Sequence, residues 1–260
     1  ENTYNEHFSI SDNTFLEKKF VSALENEYRG TVYFEKWILG NWVKAEGLVY
    51  PLFRRETHFL TPAEFSRRYG RHSIRYVIFG GDGANTNDST ALVPLAIMDN
   101  GQAVRLEMFY HNPKINGQLS NEQLVPYIQR YLQDLQDKYR FRENGVEFVM
   151  PIDCAAADLV LTLAYRLPPE YNVQKFTKKD ILQTTDVVNN ALGRKAVCLL
   201  DFGGYFNYVR NEFVPGDDQL VIDLENMVWD EDNKKYDDSV PNDCADAFRY
   251  ALNTYYNNPF

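Results

Sequence analysis

Cysteine is scarce in this 260-residue chain: Cys154, Cys198 and Cys244 are the only three. They form no CxxC pair and no Cys/His cluster at zinc spacing. That excludes a disulfide framework and a zinc finger, and makes a reduced, intracellular setting the expectation. Histidine is also rare, and His7, His58, His72 and His111 share no spacing suited to zinc or to a catalytic triad. Each is expected at the surface or as a cap. No apolar run approaches the ~20 residues a membrane span requires, and no basic-then-apolar signal opens the chain. A Gly-x-x-x-x-Gly-Lys-Ser/Thr loop is missing, so no ATP site is expected here. The sequence starts Glu-Asn-Thr instead of with Met, which reads as a piece of a longer protein.

Positive charge is in the minority, with 27 Lys+Arg against 37 Asp+Glu and a net charge of -10. Taken whole, that balance argues against a phosphate-facing surface. The distribution of the charge reverses this inference. Residues 217–238 hold nine acids and two lysines, a local -7, and read as a solvated acidic hairpin or loop. Basic residues gather elsewhere: six arginines against two glutamates over 54–75, and six cations against three acids over 166–195. The second group supplies Lys175, Lys178, Lys179, Arg194 and Lys195 as candidate contacts to a DNA backbone, which cations position without reading sequence. The arginines of 54–75 are read either as further DNA contacts or as a docking face for another domain.

The chain is rich in aromatics, with 18 Tyr, 17 Phe and 3 Trp, which excludes wholesale disorder. Helices are predicted over Asn13 to Tyr28 and Thr31 to Leu39, then an irregular stretch to Phe53. Tyr76-Val77-Ile78-Phe79-Gly80-Gly81 is a continuous apolar run of the kind a strand covered on both faces requires. Thr90 to Met98 and Ala103 to Tyr110 follow as strands about an Asp99-Asn100-Gly101 turn; Pro94 suggests an edge or a bulge. An amphipathic helix over Ser120 to Phe141 precedes a strand at Val146 to Ile152. Helices at Cys154 to Arg166 and Lys179 to Leu192 alternate with short strands near Tyr171 to Lys175 and Ala196 to Leu200. A helix over Asn242 to Tyr255 closes the chain. Three antiparallel strands followed by parallel βαβ units predict an α/β fold with a mixed sheet flanked by helices, which resembles the ribonuclease-H-like architecture.

Two of the buried-type strands run into an aspartate: Phe79-Gly80-Gly81-Asp82-Gly83 and Val149-Met150-Pro151-Ile152-Asp153. Ligands of α/β sheets bind beyond the carboxyl ends of strands, so Asp82 and Asp153 become neighbours there if their strands do. Asp243 and Asp246 in Asn242-Asp243-Cys244-Ala245-Asp246-Ala247 share one helix face. Carboxylates packed together repel unless a cation intervenes, and Mg²⁺ or Mn²⁺ prefers such oxygen ligands. Two ions about 3.5–4 Å apart suit in-line hydrolysis of a phosphodiester. Against this stands the plainer role of Asp as a turn or cap residue, to which Asp153 and Asp243 are equally suited. Cys154 and Cys244 are expected as buried packing residues, and the glycines around Asp82 as room for a phosphate to approach.

Several segments together carry a family resemblance: Ile38-Leu39-Gly40-Asn41-Trp42-Val43 with Glu46-Gly47-Leu48-Val49-Tyr50, Gly81-Asp82-Gly83, Ile152-Asp153-Cys154-Ala155-Ala156, and Asn242-Asp243-Cys244-Ala245-Asp246-Ala247-Phe248-Arg249-Tyr250. Through them the chain resembles the C-terminal nuclease domain of the large terminase subunit of tailed bacteriophages. The resemblance implies that Asp82, Asp153 and Asp246 form a catalytic, metal-binding triad, with Asp82 bridging two Mg²⁺ or Mn²⁺ ions. Asp243 stands where many relatives carry His and is a fourth candidate ligand. It also implies a helical lead-in over 1–55 after a missing ATPase domain, and a nuclease domain over 56–260. The expected activity is cleavage of double-stranded viral DNA during packaging, with low sequence specificity. The implied partners are the portal and a small terminase subunit, in the cytoplasm of the bacterial host. A junction resolvase or integrase-type nuclease, and a non-catalytic acidic interaction domain, are the alternatives.

Overall fold

The computed structural model describes residues 8–13, 15–28, 47–69, 73–83, 89–177, 179–230, 235–236 and 242–257. The predicted helix at 31–39, most of the 38–50 motif, His7, His72, Lys178 and part of the 217–238 segment lie outside the described residues.

A short 3-10 turn, Ile10–Asp12, precedes α1 (Lys18–Tyr28). Then come α2 (Arg55–His58), β1 (Phe59–Leu60), α3 (Pro62–Arg68), β2 (Ile74–Gly83), β3 (Thr90–Met98), β4 (Ala103–Arg105), β5 (Phe109–His111) and α4 (Pro113–Asn116). The second half comprises α5 (Asn121–Tyr139), β6 (Glu147–Asp153), α6 (Ala157–Arg166), β7 (Val173–Phe176), α7 (Ile181–Gly193), β8 (Val197–Leu200), β9 (Gly204–Asn207), β10 (Glu212–Pro215), α8 (Gln219–Asn226) and α9 (Asp243–Asn257).

Eight strands form one sheet in the order β1-β8-β4-β3-β2-β6-β7, with β5 also on β3; β9 and β10 make a separate hairpin. β2, β3 and β4 are antiparallel neighbours, whereas β6 joins β2, and β7 joins β6, in parallel. This is the ribonuclease-H-like mixed sheet expected from the order of elements. β3 is buried at every position because both faces are covered. On one face α5 and α6 pack over Val77, Phe79, Met150 and Ile152; on the other α7, α8 and α9 pack over Ile78, Val93 and Val149. Tyr50 and Phe53, assigned to the lead-in by the sequence, belong to this second core, and Val49 N–H donates to Met227 O at 2.9 Å.

Two expectations about strands change. Pro94 sits in an interior strand, paired with Phe79. Its carbonyl accepts from Leu106 N–H at 3.0 Å, so its missing N–H points the same way, into the break between β4 and β5. What the sequence presents as one strand from 103 to 110 is interrupted opposite the proline, and no ladder bond is lost. The acidic segment changes more: residues 219–226 are helix α8, and Leu220, Val221 and Leu224 enter the core. Asp217 and Glu225 pair with Arg55 at 2.7 and 2.6 Å, and Asp218 pairs with buried Arg105 at 2.8 Å. These acids face partner cations, so this part of the segment is no solvated loop.

Candidate metal centre

β2 and β6 run in parallel with Gly81 opposite Ile152. The next residue on each is an aspartate, which sets Asp82 beside Asp153 on strands about 4.8 Å apart. Side chains alternate along a strand. Since Ile78 and Val149 face α9, so do Asp82, four residues on from Ile78, and Asp153, four on from Val149. Asp153 is 5% exposed and Asp82 half-buried. Ala155 N–H donates to Asp153 Oδ1 at 3.0 Å. Asp153 thus shapes the turn before α6, as its plainer role requires, with its second oxygen directed elsewhere.

α9 brings the third carboxylate. The helix lies directly on β2 because Gly80 has no side chain: a Cβ there would overlap the carbonyl oxygen of Ala247 and lie 2.9 Å from Ala251 N. The room at Gly80 therefore admits a helix backbone, and the sequence-based expectation of room for a phosphate is corrected. Gly81 and Gly83 likewise make room for Ile152 and Leu159. Asp246, in the first turn of α9, has a side chain 15% exposed that Arg249 Nη2 grips at 2.9 Å. Arg249 is itself buried and donates from Nη1 to Thr184 Oγ1 at 2.7 Å. Tyr250 closes the arrangement, with its hydroxyl 3.3 Å from Asp153 Oδ2 and 3.5 Å from Asp246 Oδ2. Burial first, then the charges of Asp246 and Asp82, hold this phenol well above the ordinary tyrosine range.

Asp243 opens α9, one turn before Asp246, and is half-buried. Its charge acts on Tyr110, Asp223 and Cys244. Asp223 comes from α8 and is fully buried; it accepts from Ala245 N–H at 3.1 Å and from Gln219 Nε2 at 2.7 Å. It therefore caps the helix that carries Asp246, from twenty residues upstream. Burial raises its pKa to about 7.

The structure thus gathers Asp82, Asp153 and Asp246, with Asp243 a turn away. Among the described residues no three His, Cys, Asp or Glu side chains converge closely enough to hold an ion as they stand. The donor set nevertheless fits a hard divalent cation in kind, being all carboxylate oxygen. Arg249, Tyr250, Thr184 and Asp223 went without a role in the sequence reading. The signal for the first two was available: they lie three and four residues after Asp246, hence on its face of the helix.

The candidate DNA contacts divide. Lys175 and Lys179 are exposed at and just beyond the carboxyl end of β7, whose Phe176 is in register with Asp153. Arg194 and Lys195 follow the last turn of α7. That helix runs back along the sheet for 13 residues, about 20 Å, so this pair sits at the opposite end from the carboxylates. Of the arginines of 54–75, Arg54 donates to the carbonyls of Pro51 and Phe53, and Arg55 is taken by Asp217 and by Glu225 of α8. Of the surface or capping role expected for the histidines, the surface part fails for His58 and His111, which are buried at 2% and 1% exposed; His58 keeps the capping part, sitting beside Phe53 between Arg54 and Leu192 O in the last turn of α7. Cys244 is buried as expected, whereas Cys154 is exposed because it lies in the turn after Asp153.

No protein-family model matches the chain, and no curated protein matches it. Solved structures do. The large terminase of the thermophilic bacteriophage D6E superposes with a TM-score of 0.60 at 21% identity, over 96% of this chain and 54% of that one. The same protein in complex with ADP gives 0.59 at 22%, over 96% and 55%. The chain thus shares the fold of that protein and spans about half its length. Overlap with the large terminase nuclease of the thermophilic phage G20c with bound magnesium is weaker, with a TM-score of 0.47 at 14% identity, over 80% of this chain and 97% of that one; no role is transferred at that level.

Proposed function

We propose that this chain is a metal-dependent endonuclease that hydrolyses phosphodiester bonds of double-stranded viral DNA during genome packaging, as the nuclease part of a large terminase subunit. The observation that carries the reading is the in-register placement of Asp82 and Asp153 at neighbouring strand ends, with Asp246 delivered beside them by α9. The shared fold with the D6E large terminase supports it.

In this reading Asp82, Asp153 and Asp246 hold two Mg²⁺ or Mn²⁺ ions, with Asp243 a further oxygen donor. Ions bound there supply activation of a water and charge stabilisation at the scissile phosphate. The chain's own residues do the rest. Arg249 and the Ala155 N–H each fix one oxygen of their aspartate and so orient the second. Lys175 and Lys179 lie where a DNA backbone passing the carboxylates would run. Low sequence specificity belongs to the same reading, because cations placed along a phosphate backbone carry no sequence information directly. The half of the large terminase absent from this chain would bring the packaging ATPase; the portal and a small subunit are the expected partners, in the cytoplasm of the host. Among the described residues no helix is long and apolar enough to cross a membrane.

The test is plasmid cleavage in Mn²⁺ or Mg²⁺ by the intact chain and by Asp82→Ala and Asp246→Ala, with thermal melts to confirm folding. Metal-dependent nicking that both substitutions abolish is the expected result. Nicking indifferent to both overturns the site, and a strong preference for four-way junctions over duplex turns the reading to a resolvase. Absence of cleavage with either metal favours the non-catalytic interaction domain.

A further inference from the structure

We infer that Ser89, Tyr110 and Asn112 form an uncharged phosphate-binding subsite on the β5 side of the carboxylates, where their hydroxyl and amide donors take an oxygen of the DNA backbone. This rests on the nuclease reading and extends it to the side of the sheet away from Lys175 and Lys179. The strand register places the three residues. Asp82 of β2 is opposite Ala91 of β3, and Ala91 is opposite Tyr110 of β5. Directly paired side chains share a face, so Tyr110 stands in one row with Asp82 on the face covered by α9, and Ala91 and Tyr110 both pack against that core. Two strand spacings separate Tyr110 from Asp82, about 10 Å, and the residue between them carries only a methyl group. Ser89 lies two residues before Ala91 and Asn112 two after Tyr110, hence on the same face, just beyond the carboxylate end of the sheet.

The three side chains are joined and have a donor to spare. The Tyr110 hydroxyl lies 3.2 Å from Ser89 Oγ and accepts from Asn112 Nδ2 at 3.4 Å. Lys114 N–H donates to Asn112 Oδ1 at 2.9 Å, which leaves the amide nitrogen facing the phenol. Two hydroxyls hold two protons, and the bond between them uses one. The other proton has no acceptor among the described residues. Burial holds the phenol above the ordinary tyrosine range, so it keeps its proton and remains a donor. All three residues are half-buried, hence within reach of a ligand. Their neutrality suits the place. The charge of Asp243 acts on Tyr110, and a lysine there would pair with that carboxylate and compete with a metal ion for it. Hydroxyl and amide donors contact a phosphate oxygen without that competition.

Fluorescence anisotropy of a labelled DNA duplex, in Ca²⁺ over a range of salt, tests the subsite in the intact chain. Tyr110→Phe keeps the ring and is expected to weaken duplex binding about tenfold, the size of one hydrogen bond to a charged acceptor. Its salt slope should stay that of wild type, because the slope counts phosphates neutralised by cations. Its melting temperature and its calorimetric affinity for Mn²⁺ alone should also be unchanged. Asn112→Asp keeps an acceptor for Lys114 N–H but replaces the donor with a charge, and should weaken duplex binding further. Tyr255→Phe removes a hydroxyl bonded to Gly101 O at the other end of β3, and should leave binding as it is. Unchanged duplex affinity in Tyr110→Phe and Asn112→Asp overturns the inference. So does a loss in Tyr110→Phe matched by an equal loss of Mn²⁺ affinity, which would make Tyr110 a support of Asp243. Failure of the wild type to bind duplex at any salt defeats the nuclease reading itself.

Discussion

Gly80 on β2 touches the backbone of Ala247 on α9 so closely that no Cβ fits between them. Two residues after Gly80 comes Asp82, and one before Ala247 comes Asp246, so the contact that seats the helix also brings two candidate ligands together. Gly80→Ala must push α9 off the sheet, because the obstruction is backbone, not the end of a flexible side chain. Overpacking usually costs 1–3 kcal/mol, occasionally more, and a loss of about 3 kcal/mol or more is expected in urea melts. A loss below about 0.5 kcal/mol, the range of an ordinary surface change, would mean that the helix does not depend on this approach.

That contact also shows what a sequence can disclose. The strands and their terminal aspartates were legible because a strand covered on both faces must be continuously apolar, so a charged residue at its end stands out. α8 was hidden by the same logic. Its acids look solvated until Arg55 and Arg105 are seen opposite them, and those partners lie more than a hundred residues away in the chain. The burial of His58 and His111 was not legible because burial of a single polar side chain leaves no periodic trace. The β9–β10 hairpin, with exposed Phe213, went unrecognised because it pairs only with itself and carries little alternation. The split of the cations could have been anticipated, since a 13-residue helix carries its ends apart.

Arg105 and Asp218 form a buried pair, with side chains 3% and 9% exposed at 2.8 Å, and Asp218 also caps α8 through Val221 N–H at 3.1 Å. Removing one charge from such a pair strands the other, typically at 3–5 kcal/mol, whereas removing both is far milder. Arg105→Met alone is therefore expected to cost about 3–5 kcal/mol. The double variant Arg105→Met/Asp218→Asn keeps an oxygen for the cap and should recover most of that loss. A double-mutant cycle from denaturant melts measures it, and additive losses would mean the charges act independently.

Lys175 and Lys179 share the carboxylate end of the sheet, and Arg194 and Lys195 the other end. If DNA runs past the carboxylates, Lys175→Gln/Lys179→Gln should weaken binding to duplex of any sequence and shallow the salt dependence by about two ions. Arg194→Gln/Lys195→Gln should leave both unchanged. Fluorescence anisotropy in Ca²⁺ over a range of salt, without cleavage, reads the slopes directly. Equal effects from the two pairs would place the DNA elsewhere.

Asp223 gives the protein a pH dependence of predictable sign. Its pKa rises from 3.8 to about 7 on folding, chiefly through burial, so between those values the folded chain holds a proton that the unfolded chain has released. Stability from this group is full below about pH 4, declines as pH rises to about 7, and is level beyond. A rise of that size sets a ceiling on the order of 4 kcal/mol. Asp223→Asn preserves an acceptor for the N–H of Ala245 and has no proton to lose. Relative to wild type, the variant should be more stable at pH 8 than at pH 5. The gap between the two proteins in urea melts at each pH isolates Asp223 from every other carboxylate, and a gap independent of pH would show that this buried acid is charged throughout.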